Sequence, residues 1–97
     1  MSGEAYLVID RPEESRFVLE RNGEAVGSSS YERRGGVIAF THTEVDPAEQ
    51  EHGLGSRLVA GALDAVRVAS EDRVAAECPF VAHFVRAHPE YADLLTR

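Results

Sequence analysis

With 97 residues, 43% hydrophobic content and a formal net charge of −7, the chain has the composition of one small folded domain spanning residues 1–97, not of a disordered segment. No apolar run approaches the roughly 20 residues of a membrane span, and the start "MSGEAYLVIDRPEE" carries neither a basic nor a long apolar segment, so no membrane or export signal is expected. The acidic balance argues against nucleic-acid binding, and a lone cysteine, Cys78, fits a reducing cytoplasm. All ten cationic side chains are arginine; this reads as compositional drift, and it excludes a mechanism needing a lysine of this chain.

Ala5–Ile9 ("AYLVI") is a short apolar run of strand character, and "RPEES" after it reads as a turn. In Arg16–Arg21, Phe17 and Leu19 alternate with polar neighbours. Asn22-Gly23 follows as a strong hairpin signal, because both turn positions need positive φ. Glu24–Tyr31 is the expected return strand, "ERRGG" a second turn and Gly36–Val45 a longer strand. From Leu54 onward the spacing is helical. Leu58, Ala62, Ala65 and Ala69 form one apolar row, Val59, Leu63 and Val66 a second, with Arg57, Asp64, Arg67 and Glu71 on the wet side. Gly61 in this stripe suits a close approach to a strand. Asp72–Cys78 reads as a strand after the helix. Pro79 opens a short helix with Phe80, Phe84 and Val85 on its buried side, and Pro89 begins one more turn or helix. The order β-β-β-β-α-β-α predicts an α/β (α+β) fold, an antiparallel meander followed by a β-α-β-α unit in one mixed sheet.

The junction "VDPAEQEHGLGSRLVAGALDAV" (Val45 to Val66) admits two readings. In one, Asp46 caps a helix that starts at Pro47, with Glu49 completing a capping box and the glycines merely tolerated. In the other, the main helix begins near Gly53 and Gln50–Ser56 is a loop. The unpaired N–H groups of that loop, at the positive end of the helix dipole, face an anion.

The segment "QEHGLG" (Gln50 to Gly55) resembles the Q/R-x-x-G-x-G/A signature of the GNAT N-acetyltransferases, and it lies between a strand and an amphipathic helix. "HTEV" (His42 to Val45), "CPFVAHF" (Cys78 to Phe84) and "HPEY" (His88 to Tyr91) are similar to a small single-domain GNAT subgroup. The resemblance implies a shortened GNAT fold, without the extra terminal elements of larger members. It implies that Gln50, Glu51, His52, Gly53, Leu54, Gly55 and Ser56 bind the pyrophosphate of acetyl-coenzyme A through main-chain N–H groups, the glycines admitting the diphosphate. It also implies a bulge in the strand before the loop, with a donor for the thioester carbonyl around Thr43 to Val45.

Acetyl transfer to an amine needs a neutral amine, a donor to the carbonyl and a stabilised thiolate. Glu44 is the first candidate for general base, acting directly or through water; His42, which would share its face in a regular strand, is the other candidate. Cys78 is a candidate pocket wall or acyl-carrying nucleophile, the former weighing more because the family transfers acetyl directly. Phe84 stands where many relatives carry an acidic tyrosine, and Tyr91 is a candidate substitute. No His, Cys or carboxylate spacing suggests a metal site. The expected activity is acetyl-CoA-dependent N-acetylation of a small or protein amine by a cytoplasmic monomer or homodimer. A non-catalytic acyl-CoA-binding or interaction module on the same fold is the alternative.

Overall fold

The computed structural model describes residues 5–97, with the side chains of Gln50, Glu51 and His52 outside the described set. Five strands form one sheet in the order β1-β2-β3-β4-β5: β1 (Tyr6–Arg11), β2 (Arg16–Arg21), β3 (Glu24–Arg34), β4 (Val37–Val45) and β5 (Arg73–Ala76). The first four pair antiparallel and β5 runs parallel to β4, so the sheet is mixed and of α+β type. Two α-helices follow the meander, α1 (Leu54–Ala69) between β4 and β5 and α2 (Pro79–Ala87) after β5. Short 3-10 helices occupy Pro12–Glu14, Pro47–His52 and Pro89–Thr96. Among the described residues, no helix is long and apolar enough to cross a membrane.

Both helices cover the same face of the sheet. Phe17 and Leu19 of β2, Tyr31 of β3, Ile38 and Phe40 of β4 and Val74 of β5 form one core. The α1 row Leu58, Val59, Ala62, Leu63 and Val66 joins it, as do Val81, Phe84 and Val85 of α2. Helix α1 meets β1 at Gly61, where a β-carbon would stand 2.5 Å from Val8 Cγ2. That close approach is why the apolar stripe is interrupted by glycine. Leu94 from the last 3-10 turn closes the far side.

Two strand boundaries and the burial of two side chains differ from the sequence expectation. β3 runs on to Arg34, because the turn is confined to Gly35 and Gly36, both at positive φ, while Glu32 to Arg34 remain paired with Val37 to Ala39. β5 is only four residues long, since Cys78 already begins the entry to α2. Ala69, expected in the apolar row, is exposed at the last residue of α1. Phe80, expected on the buried side of α2, is 42% exposed.

Candidate active site

Strand β4 makes the first contribution. Its partner residues on β3 are Tyr31 for Phe40 and Ser30 for His42, so Thr41 is an extra residue on β4. One inserted residue reverses the alternation of side chains. Before it, Ile38 and Phe40 enter the core; after it, Thr43 and Val45 face the helices instead. His42 and Glu44 are thereby turned to the opposite face, both exposed, with Nε2 of the histidine 3.7 Å from Oε1 of the glutamate. Without Thr41 as an insertion, the two would project into the core beside Phe40.

The same stretch has outrun β5. Parallel pairing ends at Phe40 and Ala76, closed by the Cys78 N–H donating to the Phe40 carbonyl at 2.8 Å. Thr41–Val45 continue past that last partner, so β4 and β5 part at this end of the sheet.

The junction into α1 combines the two sequence readings. Asp46 does cap: its Oδ1 accepts from the Ala48 N–H at 3.0 Å, and Pro47 opens the helical turn. The turn is 3-10, however, and ends at Gly53, whose φ of 69° and ψ of 22° are left-handed; α1 then starts anew at Leu54. Glu49 completes no capping box. Its carboxylate forms a two-pronged pair with Arg21, one contact of 2.7 Å from Nη2 and a second from Nη1, fastening the 3-10 turn to β2. The first turn of α1 is closed by the Arg57 N–H donating to the Gly53 carbonyl at 3.2 Å. By helix geometry the N–H groups of Leu54, Gly55 and Ser56 precede it, at the positive end of the dipole.

Two cavities meet at this helix start. One, of about 480 Å³, lies between Thr43, Glu44 and Val45 of β4, Gly53 and Ser56 of the junction and Phe80 of α2. The other, of about 470 Å³, shares Gly53 and Ser56 and extends along Arg57, Phe84, His88 and Tyr91. The rings of Phe84 and His88 stack at 4.2 Å there, and the Arg57 guanidinium sits 4.5 Å over the Tyr6 ring. Each volume falls in the small-ligand range of about 300–1,000 Å³. Both adjoin the amides of the helix start, and a β-carbon at Gly53 would meet nothing within 4 Å, so space lies in front of it. The two cavities share Gly53 and Ser56, so they adjoin at the start of α1, with Gly55 in the first and Arg57 in the second.

The expected site residues divide accordingly. Thr43, Glu44, Val45, Gly53, Gly55 and Ser56 line the first cavity. Leu54 is 2% exposed and turned into the core, so only its backbone faces the loop side. For Gln50, Glu51 and His52 the expected contacts are main-chain ones, and their side chains lie outside the described residues. Cys78 is 4% exposed, and its thiol donates to Thr43 Oγ1 at 3.6 Å, while that hydroxyl is 2.9 Å from Ser29 Oγ. The thiol therefore stands behind Thr43 and not on the cavity surface. Phe84 lines the second cavity, away from the β4 edge.

Tyr91 does not take the place of an acidic tyrosine. Its hydroxyl donates to Asp64 Oδ1 at 2.9 Å, and burial together with that bond pushes the phenol up to about 12. Asp64 lies nine residues beyond Gly55 on α1, about 13.5 Å along the helix. Two participants were missed by sequence reasoning. Phe80 shares a helical face with Phe84 at i, i+4 spacing, which gave no sign that the first ring overhangs Gly55. The Arg21–Glu49 pair joins residues too far apart for any local pattern.

A family model described as a GCN5-related N-acetyl-transferase matches residues 16–94. No match is found among curated proteins.

Proposed function

Because the chain belongs to the GCN5-related N-acetyltransferase family, we propose that it transfers an acetyl group from acetyl-coenzyme A to a primary amine. The observation that carries the reading is the meeting of three features at one point. These are the parted end of β4, the amide-bearing start of α1 at Gly53 and the exposed carboxylate of Glu44.

When bound, the cofactor supplies an activated acetyl thioester. The amides from Gly53 to Ser56, with Arg57 beside them, would hold its diphosphate, and the strand edge from Thr43 to Val45 would hold the acyl end. Glu44 accepts the proton that the incoming ammonium must lose, with its carboxylate carried on the opposite face from the helices. His42, whose Nε2 stands 3.7 Å from that carboxylate, outside hydrogen-bond reach, flanks it on the same face as a positioning residue. Thr43, bonded to both Ser29 and Cys78, keeps the strand end rigid.

Calorimetry with coenzyme A and acetyl-coenzyme A, followed by thiol release against a panel of amines, tests the proposal. Measurable binding and turnover are expected, with Glu44→Gln lowering kcat by about 100-fold or more. Cys78→Ala should keep most of the activity; complete loss with an intact fold would point to an acyl-cysteine route. A second reading has its own support: Phe84 replaces a proton donor and the Tyr91 hydroxyl is committed to Asp64. Tight coenzyme A binding without turnover on any amine would assign the chain to that non-catalytic class.

A further inference from the structure

The face of the sheet opposite the helices holds a third cavity, of about 420 Å³, whose lining includes Arg11, Arg16, Val18, Glu20, Ala25 and Glu44. Glu44 also lines the cavity on the helix side. No other residue is shared by these two lining sets. Glu44 thus borders both cavities, its carboxylate on the face away from the helices, at the end of β4 that β5 no longer pairs.

The chemistry of this cavity is selective. Val18 and Ala25 give it an apolar patch, and Val18 is only 7% exposed although it lies outside the core between Phe17 and Leu19. Its two guanidinium groups are neutralised locally, Arg11 donating to Glu20 Oε2 at 3.1 Å and Arg16 to Glu14 Oε1 at 2.9 Å. Three carboxylates (Glu14, Glu20, Glu44) face two guanidiniums (Arg11, Arg16), and the unmatched one is Glu44. Glu20 has bonded one oxygen only, and a carboxylate accepts about four hydrogen bonds. Apolar surface with Glu44 and Glu20 among its walls matches an unbranched alkyl chain bearing two ammonium groups.

Resting on the acetyl-transfer reading above, we infer that this cavity is the acceptor site and that its occupant is an unbranched diamine or polyamine. One ammonium is directed to Glu44, the methylenes lie over Val18 and Ala25, and the second ammonium bonds Glu20. Donor and acceptor then approach Glu44 from opposite faces, the geometry that brings two reactants together without a shared channel. The chain's net charge of −7 favours the encounter with a cation.

Amide chemical shifts of the labelled chain saturated with coenzyme A, titrated with spermidine, test the site. Shifts are expected at Glu20, Ala25, Ser28 and Glu44, with n-butylamine about tenfold weaker because it lacks the second charge. Ala25→Phe fills the cavity at an exposed position and Glu20→Gln removes the second anchor. Each should weaken spermidine about tenfold while leaving coenzyme A affinity unchanged. Shifts elsewhere, no shifts, unchanged affinity in both variants, or much tighter binding of a lysine-bearing peptide at these amides would each overturn the assignment. The coenzyme A titration itself reports at Gly53 to Arg57, so failure of the cofactor reading registers there and not at the acceptor site.

Discussion

The ring of Phe80 lies so close over Gly55 that a β-carbon there would stand 2.6 Å from Cζ. This glycine therefore also accommodates a neighbour within the protein, a contact separate from the expected admission of a diphosphate. The ring is partly exposed and is the far end of a flexible side chain, so it can yield. Alanine gains about 1 kcal/mol over glycine in a helix. Gly55→Ala should show that gain only once the ring is gone. In a urea-denaturation cycle of Gly55→Ala, Phe80→Ala and the pair, we expect Gly55→Ala to be neutral or destabilising alone and stabilising by about 0.5–1 kcal/mol beside Phe80→Ala. Equal effects in both backgrounds would remove the contact as the explanation.

Gly53 presents the opposite case. Nothing lies within 4 Å of where its β-carbon would be, yet its φ of 69° belongs to the left-handed region. The constraint is therefore backbone conformation, worth about 1–2 kcal/mol for an ordinary L-residue and less for asparagine. Thermal melts should rank wild type above Gly53→Asn, then Gly53→Ala, then Gly53→Val, where branching at the β-carbon adds strain. Coenzyme A affinity should fall in the same order, by about tenfold or more for valine. An alanine variant as stable as wild type would show that the junction tolerates another geometry.

Arg21 and Glu49 act at a distance from the ligand but on the element that leads to it. Their two-pronged pair fastens the Pro47–His52 turn to β2, and hydrogen bonding to Glu49 raises the Arg21 pKa further. Lysine at position 21 keeps the charge and loses the fork. Arg21→Lys should raise the coenzyme A Kd several-fold in calorimetry, and Arg21→Ala more, while far-ultraviolet circular dichroism stays unchanged. Wild-type affinity in Arg21→Ala would mean that the turn holds its place without the pair.

Periodicity made the fold legible and left the site half written. The rows through Leu58 and Val59 locate α1, and Asn22-Gly23 locates the first hairpin, because each is a local pattern that burial or turn geometry enforces. The glycine-bearing junction was legible for the same reason, as a change from strand to helix spacing. What sequence could not supply depends on register. The resemblance implies a bulge in this strand but not which residue it inserts; Thr41 reads as one more strand residue, yet its insertion decides that His42 and Glu44 face away from the core. The acceptor face follows from that single insertion and from strand pairings between residues distant in the chain, such as the β1–β2 register that sets Arg11 opposite Arg16 and leaves its guanidinium to reach along β2 to Glu20.

Alkaline pH should titrate one buried and one partly buried phenol over the same range. Tyr31 packs against Phe17 and Phe40 and donates to Asp10 Oδ1 at 2.6 Å; burial first, then that bond, pushes it up to about 12. Tyr91, bonded to Asp64, is likewise pushed up to about 12. An unfolded phenol ionises near 10. Between about pH 10 and 12 the native chain keeps protons that the unfolded chain has lost, so the unfolded state binds fewer and stability falls as pH rises. The contribution is whole below pH 10 and gone above about 12. Urea melts from pH 8 to 12 should show this decline, and phenolate absorbance of the folded chain should leave Tyr31 and Tyr91 protonated past pH 11. Tyr91→Phe should make the decline shallower, since one of the two linked protons is gone. A flat stability profile to pH 12, or a phenolate signal from Tyr31 and Tyr91 near pH 10 in folded protein, would contradict the bonds to Asp10 and Asp64.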